Sequence, residues 1–219
     1  MKERSPTLSG RFRGPLACFT RPEFKTERVS YPVMTPSAAR GAIEAILWKP
    51  AIVWRIERIK VLAPIQFVSF KRNEVNNVVP TDSVKSAMKG GLLRDFFAEE
   101  DRAQRNTVAL REVDYVIDAH FEMTEKAGPD DNLQKFVAMF SRRVEKGQAF
   151  NQPYLGCREF SAEFLPATGA PAPIDETRDL GLMLHDIEFG KTNKPRWFAA
   201  RLAQGVVDVP PWNPAEAAA

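Results

Sequence analysis

TVALREVDYVIDAHFEM, residues 107 to 123, alternates apolar and polar positions along its length. Val108, Leu110, Val113 or Tyr115, Ile117 and Phe121 share one face, as in a half-buried strand. The turn KAGPDDN, residues 126 to 132, follows, and Asp131 or Asn132 is placed to cap a helix. Leu133, Phe136, Val137, Phe140 and Val144 then recur at i, i+3, i+4, i+7 and i+11, one apolar stripe facing a core. Gly147 ends the helix. Lys135, Arg142 and Lys146 fall on a different face. The change from a period of two to a helical period decides the fold class.

Working outward, the chain before this strand is polar from Lys71 to Asn106 and reads as a long loop with a short helix near Leu92 to Glu99. AIVWRIERIKVLAPIQFVSF, residues 51 to 70, reads as one long strand bent near Pro64. PSAARGAIEAIL reads as a helix started by Pro36 or Ser37 and stopped by Pro50. Leu8 to Phe19 reads as a first strand, weakened by Gly10, Gly14 and Pro15. On the far side, YLGCREFSAEFL, residues 154 to 165, reads as a strand. The order β-α-β-β-α-β predicts an α+β, ferredoxin-like (RRM-like) domain over residues 1–165. That topology serves RNA-recognition motifs, whose sheet face stacks bases. After the linker ATGAPAPI, LGLMLHDIEF and RWFAARLAQGVVDV read as an antiparallel pair, a small C-terminal β domain over residues 166–219.

At 219 residues, 44% hydrophobic and 27% charged, the composition is that of a soluble globular protein. No apolar run approaches the roughly 18 residues that span a bilayer, and MKERSPTLSG has no signal-peptide core, so a cytoplasmic protein without membrane partners is expected. Cys18 and Cys157, with only His120 and His185 to join them, predict no metal site and no cofactor. Both cysteines read as buried small apolar residues. There is no Walker loop, GxGxxG, HExxH or GxSxG, which leaves nucleotide hydrolysis, dinucleotide chemistry and metalloprotease readings without support.

The net charge of +3 is unevenly spread. Arg11 to Lys60 holds ten Lys or Arg against four Glu, whereas Ser161 to Gly190 holds one Arg against six acids. A cationic N-terminal half favours a polyanion such as nucleic acid, with a solvated charged surface as the alternative. Cutting RNA without a metal needs a base for the 2′-hydroxyl, a cation for the phosphorane and an acid for the leaving oxygen. Lys135 stands at a helix N-terminus, where the helix dipole disfavours positive charge and favours a proton-accepting amine. The alternative is a solvent-facing lysine. His120 and His185 read either as chemical groups or as hydrogen-bonded structural histidines.

Five runs occur in order: CFTRPEFKTERVSY (18–31), PSAARGAIEAILWKP (36–50), RNEV (72–75), VDYVIDAHFE (113–122) and PYLGCREF (153–160). Together they resemble the type I-C (Dvulg subtype) CRISPR-associated Cas-five subunits of the RAMP superfamily. The resemblance implies a ferredoxin-like domain and a small C-terminal β-sheet domain. It implies a metal-independent endoribonuclease that cuts CRISPR repeat RNA at the base of its stem-loop, leaving 2′,3′-cyclic phosphate and 5′-hydroxyl ends. The subunit would stay on the 5′ handle within the surveillance complex, beside the other type I-C subunits.

The family's catalytic set, as the resemblance implies it, is a tyrosine just before Trp-Lys-Pro and a Lys-His pair opening the second helix. Here those slots hold Leu47, ahead of Trp48, Lys49 and Pro50, and Lys135-Phe136. Lys135 is the retained group, and Tyr31 and His120 are the candidates to replace the missing ones. Arg21, Lys25, Arg28, Arg40, Lys49, Arg142, Arg143 and Lys146 are the expected RNA contacts. A non-cleaving RNA-binding subunit is the alternative, motivated by Leu47 and Phe136, and duplex DNA is a further expected ligand. Relatives run a regular strand into Cys-Phe-Thr, so Gly14 and Pro15 predict a distorted first strand at a sheet edge.

Overall fold

The computed structural model describes residues 3–24, 26–92, 95–188 and 192–212. In chain order the elements are β1 (Leu8–Ala17), β2 (Arg28–Val29), α1 (Pro36–Ile46), β3 (Ile52–Val61), β4 (Phe67–Val75), α2 (Thr81–Met88), β5 (Arg102–Met123), α3 (Leu133–Glu145), β6 (Glu163–Pro166), β7 (Arg178–Glu188), β8 (Lys194–Leu202) and β9 (Val206–Asp208). It is a mixed α/β protein with antiparallel sheets. Along the main sheet the order is β6-β1-β5-β3-β9, and β2 and β4 also pair with β5. Every pairing is antiparallel except the parallel contact of β2 with β5.

β5 is the spine. Its C-terminal half lies between β1 and β3, and its N-terminal half pairs with β4. β3 and β4 follow the same side of β5 in one direction, from Ile52 opposite Met123 to Val75 opposite Arg102. The long strand bent near Pro64 is thus present, interrupted at 62–66. β4 runs on to Val75 and β5 starts at Arg102, so the loop expected over Lys71 to Asn106 narrows to residues 76–101. Within that span the helix is Thr81–Met88 rather than Leu92 to Glu99, of which residues 93 and 94 lie outside the described set.

β1 meets the expectation of a distorted edge strand in part. It runs on through Gly10, Gly14 and Pro15 beside β5, but β6 covers only Gly10 to Arg13, so Gly14 and Pro15 lie at an edge. The register passes from Gly14–Val113 to Leu16–Arg111, leaving Pro15 and Glu112 opposite one another. Proline has no N–H to give a ladder, and Glu112 takes up the irregularity with φ 49°. A side chain at position 14 would strike Leu155 Cδ1 at 2.7 Å, so the glycine is there for close packing. The stretch Tyr154 to Leu165 is also corrected. Only Glu163 onward is strand, and before it Leu155 and Phe160 close a tight loop through Leu155 N–H to Phe160 O at 2.8 Å.

The helices cover one face of the sheet. Thr35 caps α1, accepting from Ala38 N–H at 3.3 Å, and Ala39, Ala42, Ile43 and Ile46 point inward. Trp54 of β3 packs against Phe121 of β5 and Phe140 of α3, at 5.2 and 5.0 Å between rings. Burying such rings contributes roughly 1.5–3 kcal/mol each. The opposite face is polar and neutralises itself. Asp118 is buried and pairs with Arg58 at 3.0 Å and Lys60 at 2.9 Å, and Ser9 donates to it at 2.8 Å. Arg11 pairs with Asp114, Arg13 with Glu163 and Arg55 with Glu122.

β7 and β8 form the expected antiparallel pair. The stretch read as continuing from β8 instead turns at Gln204-Gly205, and β9 returns to the main sheet beside β3. Its Val207 joins the same buried cluster as Ile59.

Candidate functional site

Asn132 caps α3, accepting from the Lys135 backbone N–H at 2.9 Å. This fixes the first turn of the helix and sends the Lys135 side chain back over the preceding loop. Its Nζ donates to Asp131 Oδ1 at 3.0 Å and to Asp130 O at 3.3 Å, while the side chain stays 43% exposed. The Asp131 carboxyl is held below its ordinary pKa, first by the Lys135 hydrogen bond, then by Gly128 N–H and the charge of Lys49. Lys49 is brought here because Thr124 clasps the loop after α1. Its hydroxyl donates to Pro50 O at 2.6 Å and its N–H to Ala51 O at 2.9 Å. Lys135 is therefore ion-paired with Asp131 at the start of α3, and the Lys49 charge acts on the same carboxylate from the loop after α1.

Leu47 and Phe136 flank this cluster from inside. Both are buried. Leu47 offers only its carbonyl, which accepts from Trp54 Nε1 at 2.8 Å, and Phe136 packs edge-on to Phe121 at 6.1 Å. Neither moves a proton.

Tyr31 and His120 do not join Lys135, which corrects the expectation that they replace the missing groups. Tyr31 is buried at the opposite end of α1, its hydroxyl hydrogen-bonded with the backbone of Leu184, and burial raises its pKa. His120 alternates with Phe121 on β5. Phe121 faces α3, so His120 faces the other side of the sheet. There its Nδ1 meets Glu57 Oε1 at 2.7 Å, and Thr7 donates to the same carboxylate at 2.8 Å. His185 is equally structural, with Nε2 at 2.8 Å from Pro210 O and its ring between Phe198 and Trp212.

The expected RNA contacts divide in two. Arg21 lies over the Tyr31 ring and pairs with Glu23, Arg28 pairs with Glu74 and Glu159, Arg40 pairs with Glu44 and Asp186, and Arg143 donates to Ile46 O. Lys49, Arg142 and Lys146 are exposed and make no side-chain hydrogen bond or ion pair among the described residues. Lys25 lies outside the described residues.

The sequence model of the CRISPR-associated protein (Cas_Cas5) family matches residues 7–210. This chain belongs to that family. It is similar to the CRISPR pre-crRNA endoribonuclease Cas5d of Mannheimia succiniciproducens, at 51% identity over 208 residues, covering 91% of this chain and 92% of that one. It is also similar to the CRISPR pre-crRNA endoribonuclease Cas5d of Thermus thermophilus, at 39% identity over 216 residues, covering 90% and 88%. The fold resembles a solved structure described as a CRISPR-associated protein, with TM-score 0.70 and 22% identity over 96% of this chain and 95% of that one.

In this Cas5-family chain two features escaped the sequence reading. Trp48, Phe150 and Tyr154 are exposed around one groove, beside the unpaired Arg158. They have no periodicity to announce them, and only the fold gathers positions from two loops. The second is the pairing of Cys18 and Cys157, which are 139 positions apart. Cys157 Sγ donates to Cys18 O at 3.7 Å, and the contact with Cys18 and the Arg28 guanidinium, whose Nη1 lies 3.6 Å from the sulfur, pull the Cys157 thiol below its ordinary pKa. Cys18 matches the buried apolar reading, whereas Cys157 is half-buried in a polar setting.

Proposed function

We propose that this chain is a metal-independent endoribonuclease that cuts CRISPR repeat RNA at the base of its stem-loop. It then stays on the 5′ handle as a subunit of a cytoplasmic surveillance complex. Membership of the Cas5 family and the pre-crRNA endoribonuclease names of its relatives support the reading. The observation that carries the local assignment is the ion pair of Lys135 with Asp131 at the start of α3, where the resemblance implies the retained catalytic lysine, with exposed Lys49 on the loop after α1. The proposal includes a ferredoxin-like arrangement over residues 1–165 and a C-terminal β unit over 166–219. The order β6-β1-β5-β3, with α1 and α3 on one face, supports the first part.

In this mechanism the 2′-hydroxyl attacks the adjacent phosphorus, the bond to the 5′-oxygen breaks, and a 2′,3′-cyclic phosphate and a 5′-hydroxyl result. Negative charge builds on the non-bridging oxygens. Lys135, ion-paired with Asp131, supplies the compensating charge with Lys49. Leu47 and Phe136 are hydrocarbon, so solvent water takes the 2′-hydroxyl proton and Lys135 gives one to the leaving 5′-oxygen. Such a site cuts slowly compared with one holding a histidine, since general acid–base catalysis contributes typically 10²–10⁴-fold.

A labelled repeat RNA incubated with the protein in EDTA tests the proposal. The expected result is one cut, absent from a copy with a 2′-deoxy sugar at the scissile position. Lys135→Ala should lower the single-turnover rate by about 10²-fold or more. An unchanged rate removes Lys135 from the mechanism. The buried Leu47 and Phe136 favour a second reading, a non-cleaving subunit that grips the handle; tight binding of both RNAs with neither cut is its signature. Duplex DNA is a further proposed ligand, held by the unpaired cations.

A further inference from the structure

The open face of the sheet is ill suited to stacking bases. From β6 to β3 it carries the paired ions Arg11–Asp114, Arg13–Glu163, Arg58–Asp118 and Arg55–Glu122, and its charges are already matched. One cluster of exposed aromatic rings stands on the helical side. Trp48 is 56% exposed and Phe150 77% exposed, and with Tyr154 and Arg158 they line a groove of about 660 Å³. That lies within the roughly 300–1,000 Å³ of ligand sites.

The backbone that carries Phe150 and Tyr154 is held in place. Phe150 and Asn151 both donate their backbone N–H to Ala45 O at 3.0 Å, docking the loop on the last turn of α1. Tyr154 bridges Ser161, and Leu155 beside it is wholly buried. The chemistry around the rings is cationic. Arg158 lies in the groove, Lys49 follows Trp48 directly, and Arg142 and Lys146 are exposed on α3. Glu44, the carboxylate in the groove, is engaged by Arg40 at 2.6 Å. Glu145 lies between Arg142 and Lys146 in the sequence and leaves that stretch net positive.

We propose that the Trp48–Phe150–Tyr154 groove is a stacking platform for unpaired nucleotides of the RNA, next to the bond held at Lys49 and Lys135. The inference rests on the RNA-processing reading above and adds the place where single-stranded bases sit. Aromatic faces stack on any base, and adjacent unpaired cations take the phosphates between them. A loop already docked on α1 needs little reordering on binding. A protein partner would also cover apolar rings, but the excess of unpaired positive charge and the continuity with the Lys135 cluster favour a polyanion.

The test uses the full chain and two RNAs, a repeat hairpin with single-stranded flanks and the same hairpin made blunt. One flank carries 2-aminopurine, whose fluorescence falls on stacking. Phe150→Ala should weaken binding of the flanked RNA by about 5- to 100-fold, the range for one base–aromatic stack, and restore the 2-aminopurine signal. Phe150→Leu should do the same, and Phe150→Trp should retain both. Blunt-hairpin affinity should be unchanged in all three. Circular dichroism monitors folding, which the exposure of Phe150 protects. Unchanged affinity and quenching in the leucine and alanine variants would overturn the platform and assign the rings to a protein contact. Equal losses with blunt RNA would overturn it as well. Quenching that depends on Phe150, with no cutting by the unaltered protein, would sustain the platform and sink the nuclease reading instead.

Discussion

Phe136 occupies the slot where the family resemblance implies a histidine, and its surroundings explain why it is not a spare position. Its ring is buried and meets Phe121 edge-on within the cluster that includes Trp54 and Phe140. The apolar stripe of the helix made this legible from sequence, because Phe136 fits the spacing set by Leu133, Phe140 and Val144. The partner of Lys135 was less so. The sequence suggested a lysine facing the helix dipole alone, whereas its Nζ is hydrogen-bonded to Asp131 and to the Asp130 carbonyl. A turn conformation, not a periodicity, places those oxygens. The Phe136→His variant should be less stable by about 2–4 kcal/mol, from lost ring packing and a buried imidazole without a partner. Urea unfolding monitored by tryptophan fluorescence measures this. A variant as stable as the parent would mean that the ring is not confined as described.

Among the elements, the strands were readable where one face is buried and the other wet. Thr107 to Met123 and the two halves of residues 51 to 70 alternate, and both emerged as strands. The 102–106 extension of β5 pairs only with β4 and sits on a solvated arm, so it has no apolar face to reveal it. The turn after β8 was hidden for another reason. Gln204 and Gly205 have φ 48° and 74°, and Ala203 and Val206 exchange both backbone hydrogen bonds at 2.8 and 3.0 Å. These are the features of a two-residue hairpin turn that prefers Asn-Gly. Gln-Gly gives only half of that signal. Gln204→Asn should raise stability by about 0.5 kcal/mol, because asparagine tolerates the left-handed region better. Thermal denaturation should show a small rise in midpoint; a fall would show that Gln204 makes a contribution through its side chain.

For the molecule as a whole, the segmental charge count pointed to nucleic acid but placed the cations wrongly. Arg11, Arg13, Arg55, Arg58 and Lys60 all belong to the basic N-terminal half. Folding sets them against Asp114, Glu163, Glu122 and Asp118, carboxylates from later in the chain. Charge adjacent in sequence is therefore not charge adjacent on a surface. Among the described residues, Lys49, Arg142, Lys146 and Arg158 gather uncommitted positive charge on the helical side, a field that a polyanion can meet there. The consequence is measurable in salt. Each phosphate contact on single-stranded nucleic acid contributes about 0.7 to the slope of log affinity against log salt. Replacing Arg142 and Lys146 together by alanine should flatten that slope by about 1.4 for a flanked repeat RNA. Arg58→Ala on the sheet face should leave the slope unchanged while lowering stability, since buried Asp118 loses one of its two cations. The opposite pattern, a slope that responds to Arg58 and ignores Arg142 and Lys146, would move the RNA to the sheet face.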